Sequence, residues 1–125
     1  MHDGNAINWF EIPAADFDRA KRFYSVIFAY DMPEWPMQGV RMGVLPGGEG
    51  KVGGTIIHVP GFYKPSQDGV LVYLNGGDDL NLVLARVEGA GGQVLIAKRQ
   101  ISEEIGYMAV FLDSEGNRVA LHSPH

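Results

Sequence analysis

The chain repeats its own punctuation, and that repeat restricts the folds open to it. A strand candidate at Ile7 to Ile12 is stopped by Pro13, and Asp16 then stands where a helix N-cap belongs. A second strand candidate, Val70 to Asn75, runs into the turn Gly76-Gly77-Asp78-Asp79, and Asp79, 63 residues after Asp16, is the matching cap. The turns "GGEGK" (Gly47 to Lys51) and "DSEGN" (Asp113 to Asn117) match in the same way, 66 residues apart. Behind each cap runs an apolar stripe at helical spacing: Phe17, Ala20, Phe23, Tyr24, Ile27 and Phe28 in the first half, then Leu80, Val83, Leu84, Val87 and Ala90 in the second. Val40 to Leu45 and Gly53 to Val59 read as further strands of the first half. In the second half Gln93 to Ala97 is a strand, and Gly106 to Asp113 with Arg118 to Ser123 is a hairpin. Pro33-Glu34-Trp35-Pro36 reads as a loop or a broken strand. Two copies are too few for a solenoid, so the halves are expected to share one sheet surface.

At 125 residues the chain is expected to be one domain spanning 1–125, with module one at about 5–60, a proline-bearing linker at about 60–69 and module two at about 70–123. There is no cysteine, hence no disulfide framework, thiolate metal site or cysteine nucleophile. The ten Lys and Arg are scattered and the net charge is -5, which argues against a nucleic-acid partner. No apolar run approaches the ~20 residues a membrane helix needs, and no basic segment precedes an apolar one at the N-terminus. A cytoplasmic protein with neither membrane nor nucleic acid as partner is expected. No Gly-x-Gly-x-x-Gly opens a helix after a strand, and "LPGGEGKVGG" (Leu45 to Gly54) opens no helix, so it reads as a hairpin turn rather than an anion cradle.

With "FEIPAADFDRAKRFY" (Phe10 to Tyr24) in one half and "AVFLDSEGNRVALHS" (Ala109 to Ser123) in the other, the chain resembles the vicinal oxygen chelate superfamily, which includes glyoxalase I, extradiol dioxygenases and bleomycin-resistance proteins. The resemblance covers nearly the whole chain. It implies an α+β fold: two βαβββ modules in one chain forming a cup-shaped mixed sheet with helices outside. It also implies a homodimer and a small-molecule ligand in the cup. Metal-using relatives place four ligands on the first and last strands of the two modules. Counting from Asp16, Asp79 and the two Glu-Gly turns puts those positions at Trp9, Gly54, Val72 and Ala120, none of which offers a metal donor. No metal site and no cofactor are therefore expected. A site shifted along the cup has Glu11, His58 and His122 as its donors, although His58 lies about 13 Å beyond Gly54 along its strand. The other reading of these three is as separate polar residues around an open cup.

Side chains alternate along a strand. On that basis Trp9 and Glu11 are expected in the cup, with Phe10, Ile12 and Tyr73 under the helices. Ala120 and His122 also face the cup. A hairpin symmetric about Asp113 to Arg118 pairs Phe111 with Ala120 and brings Tyr107 to the same face. Glu11 and His122 are then the candidate catalytic acid and base, and Trp9, His58, Tyr107 and Phe111 the candidate substrate-binding residues. Two functions follow as expectations. One is a metal-independent, glyoxalase-like lyase or isomerase moving a proton in a small metabolite. The other is a non-catalytic binder of the drug-sequestration type, stacking aromatic side chains on a flat ligand.

Overall fold

Asp16 starts the first helix as its residue type predicts: its backbone is extended and its carboxylate accepts the Arg19 N–H at 3.1 Å. The computed structural model describes residues 4–125, and His2 lies outside them. Module one runs β1 (Trp9–Pro13), α1 (Phe17–Ile27), β2 (Glu34–Met37), β3 (Val40–Val44) and β4 (Gly53–His58). Module two runs β5 (Tyr73–Asn75), α2 (Asn81–Leu84), β6 (Gln93–Ser102), β7 (Gly106–Leu112) and β8 (Arg118–Ser123). The sheets have orders β1-β4-β3-β2 and β5-β8-β7-β6. In each the first strand runs parallel to the last and the other pairings are antiparallel, so the chain is a βαβββ pair of the α+β class.

The helices differ more than the repeat predicts. In α1 the residues Phe17, Ala20, Phe23, Tyr24 and Ile27 are buried. Its end is a Schellman motif, with the Tyr30 N–H on Ser25 O and the Ala29 N–H on Val26 O. The left-handed position of that motif is held by Ala29, at φ 52°, where glycine is usual. α2 is a single turn followed by irregular turns to Gly91, yet Leu80, Val83, Leu84 and Val87 are buried as expected. Asp79 caps this turn, its carboxylate accepting the Asn81 N–H at 3.0 Å and its carbonyl the Leu82 N–H at 3.2 Å, and Leu80 after it already has helical dihedrals. Two strands exceed their sequence signals. β2 carries Pro36 and lies at a sheet edge, where the missing N–H is tolerated. β6 runs to Ser102 through the polar run Lys98-Arg99-Gln100, with register shifts along its pairing to β7.

Both modules bury their helix-side faces in one core. It joins Ile12, Phe23, Tyr24 and Ile56 of module one to Leu74, Leu80, Phe111 and Leu121 of module two. Phe23 meets Phe111 at 5.9 Å between ring centroids. β1 and β5 run side by side in opposite directions. One seam cavity of about 190 Å³ is lined by Ile7, Phe10 and Gly53 against Tyr73 and Asn75, and another of about 200 Å³ by Glu11 and Pro13 against Val70 and Val72.

A polar clasp fastens the seam at the β7–β8 turn. The buried Asp113 carboxylate accepts from Tyr24 Oη at 2.7 Å, Asn117 Nδ2 at 2.9 Å and the N–H groups of Glu115 and Asn117. Burial pushes the Asp113 carboxyl above its ordinary range, against the pull of those donors, and burial also holds the Tyr24 hydroxyl well above its own. Asn117 Nδ2 donates to Pro13 O at 2.7 Å, and Glu115 accepts from Arg19 at 2.6 Å and from the Asp16 N–H at 2.7 Å. The net effect on Glu115 is a lowered pKa: burial raises it, and the Arg19, Asp16 and Ser114 donors outweigh that.

Candidate functional site

The face away from the helices is concave in module one, and two aromatic rings show it. Trp9 on β1 and Trp35 on β2 stand on the outermost strands, with β4 and β3 between them. A flat sheet would separate those strands by roughly 14 Å. The two indoles nevertheless stack at 5.4 Å with planes 13° apart. They lie over the inner strands, on the face where Met42, Thr55 and Ile57 are buried. Both remain partly open to solvent, at 39% and 49% exposure.

Strand register decides which residues reach this face, and it corrects several expectations. β1 pairs with β4 as Trp9 with Gly53 and Phe10 with Gly54. A Cβ on Gly54 would sit 2.6 Å from the Phe10 ring, on the helix side, whereas one on Gly53 would meet only Trp9, at 3.6 Å. Gly53, Thr55 and Ile57 therefore face the concavity, and Gly54, Ile56 and His58 do not. His58 faces the helix side instead, with Nδ1 2.7 Å from Ala14 O.

Strand pairing in module two puts Tyr73, not Val72, in the place of Trp9, because the segment from β5 to the Asp79 cap is one residue shorter than its counterpart in module one. Tyr73 is 50% exposed and pairs with Ala120, while Val72 packs against the core. The hairpin is also one residue out of the expected register. The Asp113 N–H closes on Asn117 O, leaving a three-residue loop with Gly116 in the left-handed region at φ 88°. Phe111 then pairs with Val119, and Val110 with Ala120. A one-residue slip reverses every side chain, so Phe111 is fully buried in the core and Tyr107 packs against it beneath the Lys98 ammonium. Met108, Val110, Ala120 and Leu71 take their places on the concave side.

The four positions that the resemblance assigns to metal ligands thus become Trp9, Gly53, Tyr73 and Ala120: in each module an aromatic ring opposite a residue with little or no side chain. This set does not fit a metal ion. Among the described residues no three His, Asp or Glu side chains converge to hold one. The shifted set fails as well, since His58 faces away from Glu11. Glu11 and His122 are not brought together either. Glu11 lines the seam cavity with Lys64, Asp68 and Arg118. His122 lines a separate open groove of about 760 Å³ with Tyr73, Asn75, Ile101, Ile105 and Pro124, its Nε2 2.6 Å from Ile105 O.

Sequence reasoning missed Trp35, hidden in a proline-flanked segment, and Tyr73, displaced by the cap count. The alternation Trp35-Pro36-Met37 beside a strand candidate was the available signal for the first.

The sequence matches the Glyoxalase/Bleomycin resistance protein/Dioxygenase superfamily over residues 6–121. The chain belongs to that superfamily. Its fold is similar to that of TnmS3, an antibiotic-binding protein from Streptomyces sp. CB03234, at 23% identity and TM-score 0.64, with 100% of both chains covered. It is also similar to a glyoxylase/bleomycin resistance protein/dioxygenase domain from Frankia sp. EAN1pec, at 16% identity and TM-score 0.69, covering 98% of this chain and 100% of that one. A glyoxalase I variant from Zea mays matches at 16% identity and TM-score 0.65, with 93% of this chain spanning 45% of that one. No curated protein matches the sequence. None of the helices among the described residues is long and apolar enough to cross a membrane.

Proposed function

We propose that this chain binds a flat organic molecule on its concave face without a metal, as a sequestering protein rather than a proton-transfer enzyme. The observation that carries this reading is the solvent-open Trp9–Trp35 stack. Exposed, parallel aromatic faces give up little on meeting a planar ligand and gain dispersion and apolar burial. Tyr73 adds an exposed aromatic ring on the other side of the seam. The groove beyond it has the composition of a small-molecule site: apolar walls from Ile101 and Ile105 with few polar groups, Asn75 and His122. TnmS3, described as an antibiotic-binding protein, supports the same reading from a relative. A homodimer belongs to the proposal too, with exposed Leu95 and Ile96 on edge strand β6 as its apolar surface. Sedimentation should then give a mass near twice 13.7 kDa.

The test is direct because the stacked pair comprises both tryptophans of the chain. Titrating flat antibiotics and aromatic metabolites against indole fluorescence should give saturable quenching, with each ligand recovered unchanged. Steady conversion of a bound compound would replace this reading with an enzymatic one.

A further inference from the structure

Among the described residues, one buried side-chain polar atom has no hydrogen-bond partner: the hydroxyl oxygen of Thr55. Buried hydroxyls are normally satisfied, and one left dry costs stability that an isosteric valine would not. Thr55 is fully buried on the concave side of β4, two residues from Gly53, with Glu11 and Val44 as its neighbours across the two flanking strands. The indoles from β1 and β2 meet over those strands, and the Trp9 ring occupies the room that Gly53 leaves beside Thr55. The buried floor beneath the aromatic pair is therefore apolar, with Met42 and Ile57, except for this one unused hydroxyl, and the exposed Glu11 stands beside it on β1.

We propose that Thr55 is the polar anchor of the ligand site, roofed by Trp9 and Trp35 in the free protein and reached when a flat ring parts them. This rests on the binding function proposed above and specifies the ligand. Two contact distances put indoles that sandwich a ring about 7 Å apart. From 5.4 Å that is a small opening, made by two side chains that are already partly exposed. The ligand is a flat conjugated ring carrying a hydroxyl or carbonyl on the edge that enters first. Thr55 can donate to a carbonyl and accept from a hydroxyl, so both kinds of substituent are read by the same side chain. Selection comes from the unmet group: a ring with a bare edge leaves the hydroxyl dry, while a substituted one satisfies it.

Thr55→Val tests this with two probes, 2-naphthol and naphthalene, titrated against indole fluorescence, and with thermal melting of the free protein. The wild type should bind 2-naphthol at least about fivefold more tightly than naphthalene, the effect of one net hydrogen bond. Thr55→Val should bind the two alike. The free variant should also melt about 3 °C or more above the wild type, since a methyl group replaces an unsatisfied hydroxyl. A melting temperature that is unchanged or lowered overturns the proposal, because the hydroxyl is then satisfied in the free protein. If both probes bind the wild type equally, or if Thr55→Val keeps the preference, the anchor role falls and the binding function stands. If neither probe quenches the wild type, the binding function falls and the anchor with it.

Discussion

The two modules solve one packing problem in two ways. On the helix side, the first and last strands of module one pair Phe10 with Gly54, and those of module two pair Leu74 with Leu121. One module places a large ring against no side chain, and the other shares the volume between two leucines. On the concave side both modules use the unequal arrangement, Trp9 with Gly53 and Tyr73 with Ala120. The difference lies in what covers the concavity. Trp35 reaches back from β2 to close module one, whereas module two stays open as the groove beside Tyr73 and His122. A repeat of sequence thus yields a closed aromatic pair on one side and an open groove on the other, and the asymmetry sits in residues outside the repeated motifs.

The shared core is where the modules are least separable, so the largest effect is expected there. Phe111→Ala should cost about 3–5 kcal/mol in urea unfolding and lower the cooperativity of both modules together. Two separate transitions in the wild type would show that the modules fold independently. The unequal pair comes next. Gly54→Ala should cost about 2–3 kcal/mol because its Cβ meets the Phe10 ring, and Phe10→Leu in the same chain should recover part of that by recreating the balance of module two. Gly53→Ala, one residue away on the other face, should leave stability within about 0.5 kcal/mol. Equal costs for the two glycines would contradict the register.

Trp35→Ala should weaken ligand binding about tenfold, roughly 1.4 kcal/mol, by opening module one to the state module two already has. Glu11→Gln should leave quenching curves in place, because Glu11 is exposed and lines the seam cavity, away from the groove of His122. At the clasp, Glu115→Gln should cost about 1 kcal/mol at neutral pH. The sign follows from the lowered pKa of Glu115. Its contribution is present above the unfolded-state value of about 4.3 and is lost as pH falls from there through the folded value. The gap between wild type and variant in urea midpoint should therefore close on acidification. In α1, which module two shortens to a single turn, Ala29→Gly should stabilise by about 0.5–1 kcal/mol in urea unfolding by relieving the left-handed alanine.

Much of this was legible before any coordinates. The Asp16 cap, the buried stripes of both helical segments, and the strands around Phe10, Ile56 and Leu121 all follow from local patterns that repeat, and the βαβββ pairing follows from the family resemblance those patterns carry. The two faces of the sheets were legible only in part: Trp9 lies on the face away from the helices as its alternation predicts, whereas Phe111 and Tyr107 turn to the helix side and Tyr73 away from it, against expectation.

The sequence by itself determined which segments form strands and helices, and that they come as two similar units, because those properties depend on neighbours within a few residues. Only the tertiary structure decided which face each side chain takes. Strand period is two, so the three-residue loop at Ser114 to Gly116 and the one-residue-shorter link from β5 to Asp79 each put a strand's side chains on the face opposite to the one the residue count gives. It also decided that Trp35 meets Trp9 above an unpaired Thr55. That contact spans four strands, and no local pattern in the chain records it.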